Sequence, residues 1–527
     1  MNDNPHDVWR KPMMGRRTFL AVTGGVTLVL AGCGSGGGDG TGDSGQKPVS
    51  GGKLTYAISN EIASLDPAKI SSSSGAGSAP GYALFGALLT LDAKTGAVVP
   101  RIAESMKSDT TGKIWTLKLR EGVKFSDGSP YDAEAVKFNF TRYADPKIGS
   151  QAASYATSIT SMTAVSPTEL RIELAAPNAI FDRAVAKLMF FIGSPTFMKA
   201  HPDQIDTKPV GAGPFILESW VRDSAKTFKR NPDYYEAPKP YVDELIIQTI
   251  PDTRQSVTAL RAGQLDIALF WNTADASRAA SANGSSSSVL SPGSPCLALN
   301  MTKAPFDDVR LRQAVRYAID SDQAAEVLGS FAATAAPFPK GSPSNFGLSW
   351  PAADEAKAQK LFDDVAADNG GTVRFTISCF QEAGNQAEGK YLQSVLNQYD
   401  NVDVKVNVEA AATVLGNVFS KSYEANTWGT PWWTAADLEQ YLKSDSIYNV
   451  FGFDDPEVDK AVTALRSSTD EAGQARAAKV LVSKMVEALP MVTYGSREVS
   501  NVYSSQVHGV EPFFDGLINF EGIWKAQ

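Results

Sequence analysis

A strand, a helix and a second strand follow one another near the middle of the chain, and this order constrains the fold more than any other feature. Glu244 to Ile250 carries an apolar run typical of a strand that is buried on both faces. Asp252 or Thr253 can cap the following helix, and Gly263 supplies the left-handed residue that favours its end. Leu265 to Phe270 has the pattern of the next strand. A crossover of this kind predicts a parallel sheet.

The end of the second strand is a predicted ligand contact. Ligands of open parallel sheets bind beyond the carboxyl ends of the strands, in the crevice that the following loops form. Phe270 and Trp271, with Asn272 directly after them, occupy this place in the sequence. We therefore predict that Phe270 and Trp271 contact a ligand.

Several motifs around this crossover resemble a known family. Residues 211–215 read GAGPF and are followed by LESW, by KRNPDYY and by a helix that ends in ALRAGQLDIA. Two further segments, Trp115 to Tyr143 and Pro295 to Asp320, carry matching patterns. Together these motifs resemble the family-5 extracellular solute-binding proteins, which are the dipeptide, oligopeptide and nickel-binding receptors of ABC importers. The resemblance implies two lobes, a ligand cleft between them and a permease as partner.

The N-terminal segment resembles a lipoprotein export signal. Gly15 to Leu20 contains twin arginines, and the apolar run from Phe19 to Ala31 is shorter than the ~20 residues that span a bilayer. Leu30 to Cys33 resembles a lipobox. We predict a twin-arginine-type lipoprotein signal over residues 1–33, with Cys33 lipidated. An uncleaved membrane anchor with an unmodified cysteine is the alternative.

The processed protein is expected outside the cytoplasm. Lipidation of Cys33 would anchor it to the membrane, either in a periplasm or at the outer face of the cytoplasmic membrane. Residues 34–52 are rich in Gly, Ser, Asp and Thr. A segment of this composition buries too little apolar surface to fold, so we predict a flexible linker there.

Composition and motif content exclude several functions. The net charge of -9 argues against nucleic acid as a partner, because such binding needs a basic face. The chain has only 3 histidines, and it shows no zinc-ligand spacing, no nucleophile elbow and no phosphate loop. We therefore predict no catalytic residues, no metal and no cofactor, and we do not expect an enzyme.

The state of two cysteines stays open at this point. Cys296 and Cys379 both lie in apolar, strand-like runs. An oxidising compartment permits a disulfide between them, provided that their Cα atoms approach within about 7 Å. Two separate buried thiols are the other interpretation.

Two segments before residue 295 predict structural elements of the first lobe. Trp115 to Leu119 and Val123 to Phe125 alternate as the strands of a hairpin, and Asp127-Gly128 gives a tight turn. Asp132 can cap a helix that runs to Tyr143. Asn272 to Ser288 is rich in Ala, Ser and Asn, which predicts a loop and a short helix.

The second half of the chain predicts another α/β unit. Val373 to Cys379 and Val402 to Val408 have strand patterns, and a helix with one apolar face lies between them. Phe380 and Gln381 follow the first of these strands at its carboxyl end. By the same reasoning as before, we predict that Phe380 and Gln381 contact the ligand from the second lobe.

The run TWGTPWW, residues 427–433, is the most aromatic short segment. Trp428, Trp432 and Trp433 cannot all pack inside one regular element beside Gly and Pro, so we predict that they bind the ligand, with packing in the core as the alternative. The resemblance implies that peptide-binding relatives place an acidic residue, a partner for the ligand's amino terminus, where this chain has Pro431. Asp437 is a candidate substitute.

These observations predict an α/β, bilobal, periplasmic-binding-protein-like fold with a ligand cleft between the lobes. Lobe I spans 53–294 with an inserted subdomain at about 76–208, lobe II spans 295–490, and 491–527 return to lobe I. The expected function is that of a monomeric substrate-binding lipoprotein that delivers a peptide, a peptide-like molecule or another small organic solute to ABC permease subunits. A secreted hydrolase and an extracytoplasmic protein-interaction module are the rival hypotheses.

Overall fold

The structure is a computed structural model that describes residues 47–70, 78–281, 284–291 and 293–526. The predicted export signal, the lipidation site Cys33 and most of the predicted linker lie outside these residues. The described residues from Pro48 onward form one packed unit.

The strands are numbered in chain order through the described residues. They are β1 (Lys53–Ile58), β2 (Leu89–Leu91), β3 (Val98–Pro100), β4 (Ala103–Ser108), β5 (Ile114–Leu119), β6 (Ile159–Ser166), β7 (Glu169–Leu174), β8 (Phe215–Val221), β9 (Ala225–Arg230), β10 (Glu244–Thr249), β11 (Ile267–Phe270), β12 (Gly284–Ser291), β13 (Cys296–Leu299), β14 (Val373–Phe380), β15 (Val402–Glu409), β16 (Ala425–Trp428), β17 (Met491–Thr493), β18 (Arg497–Ser504), β19 (Val507–His508) and β20 (Trp524–Lys525).

The α-helices follow the same numbering. They are α1 (Ser78–Phe85), α2 (Ala133–Tyr143), α3 (Ala153–Ala156), α4 (Phe181–Leu188), α5 (Pro195–Ala200), α6 (Thr253–Arg261), α7 (Thr273–Ala280), α8 (Val309–Ala318), α9 (Ser321–Leu328), α10 (Glu355–Asp368), α11 (Ala383–Leu396), α12 (Ala411–Phe419), α13 (Glu439–Leu442), α14 (Pro456–Ser467) and α15 (Glu471–Ala488). Single 3-10 turns are formed by Ala435–Leu438 and Phe520–Gly522.

The predicted crossover is the centre of a seven-stranded sheet with the order β12-β18-β11-β1-β10-β9-β8. Strands β10 and β11 both run parallel to β1, which lies between them, and α6 connects the two. Asp252 caps α6 by accepting the backbone N–H of Arg254, and Gly263 has a φ of +70°. The parallel prediction is confirmed for these three strands, whereas β8, β9, β12 and β18 pair antiparallel.

A four-stranded antiparallel sheet with the order β4-β5-β7-β6 precedes this crossover in the chain. The hairpin prediction is wrong, because β5 pairs with β4 and β7, and residues 123–125 form no strand. The turn is present, with the N–H of Gly128 donating to the carbonyl of Phe125. Asp132 caps α2 as predicted and accepts the N–H of Ala135 at 2.9 Å.

The second α/β unit is a five-stranded sheet with the order β15-β14-β16-β13-β17. Strand β14 runs parallel to β15 and β16, and α11 makes the predicted connection to β15. Strand β13 pairs antiparallel with β16 and β17. Because Met491–Thr493 belongs to this sheet, the chain returns to the seven-stranded sheet a few residues after the predicted boundary at 490.

The two cysteines are free thiols on this sheet. Cys296 shares its face with Ala298, which lies in one row with Asn426 and Ser378, whereas Cys379 is one position further along its strand. Successive side chains of a strand point to opposite faces, so the two thiols lie on opposite faces of the sheet. This geometry selects two separate buried thiols over a disulfide.

Two glycines of the GAGPF motif pack against the backbone of α1. A Cβ atom on Gly211 would lie 2.1 Å from the carbonyl oxygen of Leu84, and one on Gly213 would lie 2.5 Å from the carbonyl oxygen of Ala83. Neither glycine has a positive φ, so the requirement is for space and not for an unusual backbone conformation. The motif thus holds α1 against the start of β8.

Candidate functional site

A cavity of about 400 Å³ lies between helix α4 and the segment that follows β16. Its lining residues come from two parts of the chain that are far apart in sequence. They are Gln151, Tyr155, Ile180, Arg183, Ala184, Lys187 and Leu188 from the first part, and Leu415, Phe419, Trp428, Gly429, Pro431, Trp433, Ala436, Asp437, Glu439, Gln440, Tyr441, Tyr448 and Val450 from the second.

The two walls of the cavity are in direct contact with each other. Ile180, at the start of α4, is buried in the apolar cluster that contains Trp432 and Leu438, and Trp433 packs against the cluster around the four-stranded sheet. A backbone hydrogen bond of 2.6 Å from Ala179 to the carbonyl of Arg466 joins the same two regions. The cavity is therefore built where the two parts of the molecule meet.

Helix α4 supplies the first wall. Its cavity-facing residues Arg183, Ala184, Lys187 and Leu188 recur at intervals of three and four, the spacing of one helix face. Nη1 of Arg183 donates to the carbonyl oxygen of Gly96 at 2.8 Å and to Oγ1 of Thr434 at 3.4 Å. The two basic residues lie one helical turn apart on this face of α4, and the other two α4 residues in the lining, Ala184 and Leu188, are apolar.

The second wall begins where β16 ends at Trp428. After it, Thr434 and Asp437 form a capping box, in which Oδ2 of Asp437 accepts the N–H groups of Trp433 and Thr434 at 2.8 and 2.9 Å. Oδ1 of Asp437 accepts from Nζ of Lys187 at 2.8 Å. Burial alone would raise the pKa of Asp437, but the charge and hydrogen bond of Lys187 and the two backbone N–H groups hold the pKa below its ordinary value.

Aromatic rings form much of the lining. Trp428 stacks on Phe380 with ring centroids 6.0 Å apart and meets Phe419 edge-on at 6.4 Å. Phe419 is 47% exposed and lies at the rim. Burial raises the pKa of the Tyr155 and Tyr441 phenols well above their ordinary range, so both are neutral at physiological pH. Such a surface suits an apolar or aromatic ligand body.

The structure brings together some of the predicted second-lobe contacts. Trp428 and Trp433 line the cavity, and Phe380 supports Trp428 from behind. Gln381 is exposed and does not line it, and its carbonyl accepts from the side chain of Gln386. Trp432 is fully buried, with Nε1 donating to the carbonyl of Pro337 at 3.0 Å, so it has no surface toward the cavity.

The predicted first-lobe contacts lie elsewhere. Phe270 is fully buried in an apolar cluster with Val257 and Leu260 of α6, because α6 and α7 cover the end of β11. Trp271 is half-buried and packs on the core of the seven-stranded sheet. The side chain of Asn272 caps α7 by accepting the N–H of Asp275. None of these residues lines the cavity.

Sequence reasoning missed the first wall. No role was predicted for Arg183 and Lys187. Two cations four residues apart on one helix face, among Ala and Leu, were the available signal. The candidate role of Asp437 as partner of a ligand ammonium does not agree with its geometry, because its carboxylate already binds Lys187.

Other features of the described residues do not compete with this site. A depression of about 650 Å³ beside α6 is lined by residues 248–265 only, and it is an open groove on one face of the molecule. No described group of three or more His, Cys, Asp or Glu side chains is arranged to hold a metal ion. Among the described helices, none has both the length and the apolar character that a membrane crossing requires.

Comparison with known proteins gives consistent matches. Residues 97–449 match the sequence model described as "Bacterial extracellular solute-binding proteins, family 5 Middle". The glutathione-binding protein GsiB of Pectobacterium atrosepticum is 26% identical over 439 residues, which cover 80% of this chain and 84% of GsiB. GsiB of Escherichia coli K12 is 24% identical over 441 residues, covering 80% of this chain and 85% of that protein.

Solved structures share the fold. AgaA of A. tumefaciens R10, in complex with agropinic acid, superposes with a TM-score of 0.76 at 23% identity over 90% of this chain and 99% of AgaA. The oligopeptide-binding protein AppA of Bacillus subtilis, in complex with a nonapeptide, gives 0.75 at 20% identity over 91% of this chain and all of AppA (100%). NikA of Brucella suis, in complex with Fe(III)-EDTA, gives 0.77 at 21% identity over 90% and 100%.

Proposed function

Because the chain belongs to family 5 of the bacterial extracellular solute-binding proteins, and therefore captures a substrate for an ABC permease, we propose that the cavity between α4 and the segment after β16 holds that substrate. The observation that carries this proposal is that the two walls of the cavity come from different parts of the chain. Side chains from distant parts of the chain enclose one aromatic-lined space, so a ligand there would contact both at once. Trp428 and Trp433 are the proposed aromatic contacts.

The proposed mechanism is a shift between open and closed populations. In this proposal lobe I comprises 53–294, with the subdomain at 76–208, together with the chain after β17, and lobe II runs from 295 to the end of β17. A ligand favours closure only through its additional affinity for the closed form. Contacts to α4 from one side and to Trp428 from the other would supply that difference.

The proposed ligand is a peptide or a peptide-like organic solute. Support comes from the names of relatives, which include a glutathione-binding protein and an oligopeptide-binding protein. Support also comes from the lining, where aromatic rings stand beside charged and amide side chains. No catalytic role is proposed, and a peptide is expected to be recovered intact after incubation, as mass spectrometry can check.

We also propose an extracytoplasmic, monomeric protein held to the membrane by lipid on Cys33. The twin arginines, the short apolar run and the lipobox-like residues support the export and the lipid anchor. Cys33→Ala is expected to move the protein from the membrane fraction to the soluble fraction. A variant that stays in the membrane fraction would favour an uncleaved anchor.

Ligand capture is tested by titration calorimetry of the purified protein with glutathione and a set of two- to five-residue peptides. We expect at least one of them to bind with a micromolar or lower dissociation constant, about -8 kcal/mol. A crystal structure of that complex should place it against Trp428. Density for the ligand at another place would remove the cavity from the proposal.

A further inference from the structure

We propose that the cavity holds an anionic group of its ligand on the guanidinium of Arg183, and that it does not recognise a free ammonium group. This inference rests on the proposed function of the same cavity and specifies the class of substrate. It follows from which charges in the lining already have partners.

Both carboxylates of the lining are neutralised by the chain itself. Asp437 binds Lys187 at 2.8 Å, and its other oxygen accepts two backbone N–H groups. Glu439 accepts from Arg466 at 2.8 and 3.2 Å. Their side chains are only 5% and 4% exposed. A ligand ammonium would therefore meet no free carboxylate among the described lining residues.

Among the described residues Arg183 has no ion-pair partner, although its charge acts on the neighbouring carboxyl of Asp182 and lowers the pKa that burial raises. Within the described part of the chain, the acceptors of its guanidinium are the carbonyl of Gly96 and the hydroxyl of Thr434, and both bind Nη1. The carboxylate of its neighbour Asp182 accepts the backbone N–H of Arg183, and no described carboxylate lies within ion-pair distance of the guanidinium. Nε and Nη2 therefore keep their N–H donors for a ligand, in the forked geometry that fits a carboxylate or a phosphate.

The ring of Trp433 lines the cavity, but its Nε1 atom is enclosed by the protein and has no hydrogen bond to any described residue. The charged donors left for a ligand are therefore those of Arg183, and they favour a ligand rich in acceptor oxygens. The rings of Phe419, Trp428 and Tyr448 would cover its apolar part.

The first test uses small probes that share a phenyl ring: phenylpropionate, its neutral amide phenylpropanamide, and phenyl phosphate. We expect at least one anion to raise the melting temperature of the purified protein at millimolar concentration, and the amide to raise it less. The two anions distinguish carboxylate from phosphate recognition. Equal effects of all three, or no effect of either anion, would overturn the inference.

The matched variants are Arg183→Gln and Arg476→Gln. Arg476 is exposed on α15 and does not line the cavity. Arg183→Gln is expected to bind the preferred anion about tenfold more weakly or worse, because it loses charge-assisted hydrogen bonds, and Arg476→Gln is expected to bind like the unchanged protein. Arg183→Lys keeps the charge without the fork, and an intermediate affinity would confirm that the donors matter.

The second test separates this inference from the proposed function. One aromatic tripeptide is titrated in three forms: unmodified, N-acetylated and C-amidated. We expect acetylation to leave the dissociation constant within about threefold and amidation to raise it about tenfold. Binding that acetylation abolishes would overturn the inference while leaving the proposed function intact. If the anionic probe binds through Arg183 and no peptide binds, the inference stands and the peptide class is wrong.

Discussion

Nζ of Lys187 lies 2.8 Å from Oδ1 of Asp437, and this ion pair joins α4 to the turn after β16. The two side chains are 12% and 5% exposed, so the charges have little access to water. A buried pair of this kind is sensitive to the loss of one member, because the remaining charge is left without a partner. The pair therefore couples the two walls of the cavity.

Asp437→Asn is expected to lower the free energy of unfolding by about 3 kcal/mol, because it leaves Lys187 buried and unpaired. Urea denaturation of the purified protein measures this. Asp445→Asn is the matched control, since Asp445 pairs with Lys443 at the surface and is 73% exposed. It should cost less than about 1 kcal/mol. Equal losses in the two variants would contradict a special role for the buried pair.

Gly213→Ala is expected to destabilise the protein by about 3 kcal/mol. The added Cβ would lie 2.5 Å from the carbonyl oxygen of Ala83 and 2.6 Å from the carbonyl carbon of Leu84, and both are backbone atoms of a packed helix. Gly384→Ala in α11 is the control, because no atom lies within 4 Å of its added Cβ. It should be neutral or stabilising by up to about 1 kcal/mol. Thermal unfolding measures the stability of both variants, and a Gly213→Ala protein as stable as the Gly384→Ala protein would contradict the close packing of Gly213 on α1.

Asp515 is expected to make stability fall as pH rises. Burial raises the pKa of Asp515 to about 7 in the folded state, against 3.8 for the ordinary group. Between about pH 4 and pH 7 the unfolded chain is ionised while the folded carboxyl keeps its proton, so ionisation favours unfolding. The full difference corresponds to about 4 kcal/mol.

Asp515→Asn should remove this part of the pH dependence, and the difference between the unfolding free energies of variant and unchanged protein across the interval measures it. Burial also raises the pKa of Asp182, to about 6, so the unchanged dependence contains a second contribution of the same sign. Parallel profiles for the two proteins would show that Asp515 does not titrate in this range.

Trp428→Ala is expected to weaken ligand binding by about tenfold without unfolding the protein, because it removes one aromatic wall of the cavity. Titration calorimetry with the best ligand measures the affinity, and circular dichroism reports the fold. Trp220→Ala is the control, since Trp220 lies on β8, outside the cavity, beneath Arg222. Unchanged affinity in Trp428→Ala would remove this residue from the site.

Local signals in the sequence were sufficient for the elements around the crossover. A cap at Asp252, a stop at Gly263 and an apolar strand on either side are all decided within 30 residues, and each lies where the pattern placed it. The same holds for Asp132 at the start of α2. The pairing of strands that are distant in the chain could not be predicted from such local signals. Strand β5 has the expected alternation, but its partners are set by contacts that the pattern does not encode.

Strand β12 shows how tertiary contacts override composition. Its sequence GSSSSVLS favours a loop, yet all eight residues pair with β18 across the edge of the sheet. The prediction of a loop and a short helix for 272–288 is right for α7 and wrong for this strand. Backbone hydrogen bonding to β18, and not side-chain burial, explains why this segment forms a strand, since most of its serines are exposed or half-buried.

The candidate site was accessible to sequence reasoning only in part. The aromatic run TWGTPWW identified the correct segment. Trp432 is buried in the core and its neighbour Trp433 lines the cavity, and the sequence could not show which of the two would face the cavity. The partner of Asp437 lies 250 residues earlier in the chain. No periodicity connects residues at that separation, so the pairing of charges on the cavity wall is a property of the folded chain alone.

The place of β18 has a consequence for biosynthesis. This strand, Arg497–Ser504, lies between β11 and β12, while β1 near the other terminus lies at the centre of the same sheet. Until residue 504 has been made, β11 and β12 of a nascent polypeptide on the ribosome therefore each have an edge without a hydrogen-bonding partner. Such edges can pair with other chains. Translation that stops early should yield an aggregating product even when every residue of the cavity is already present.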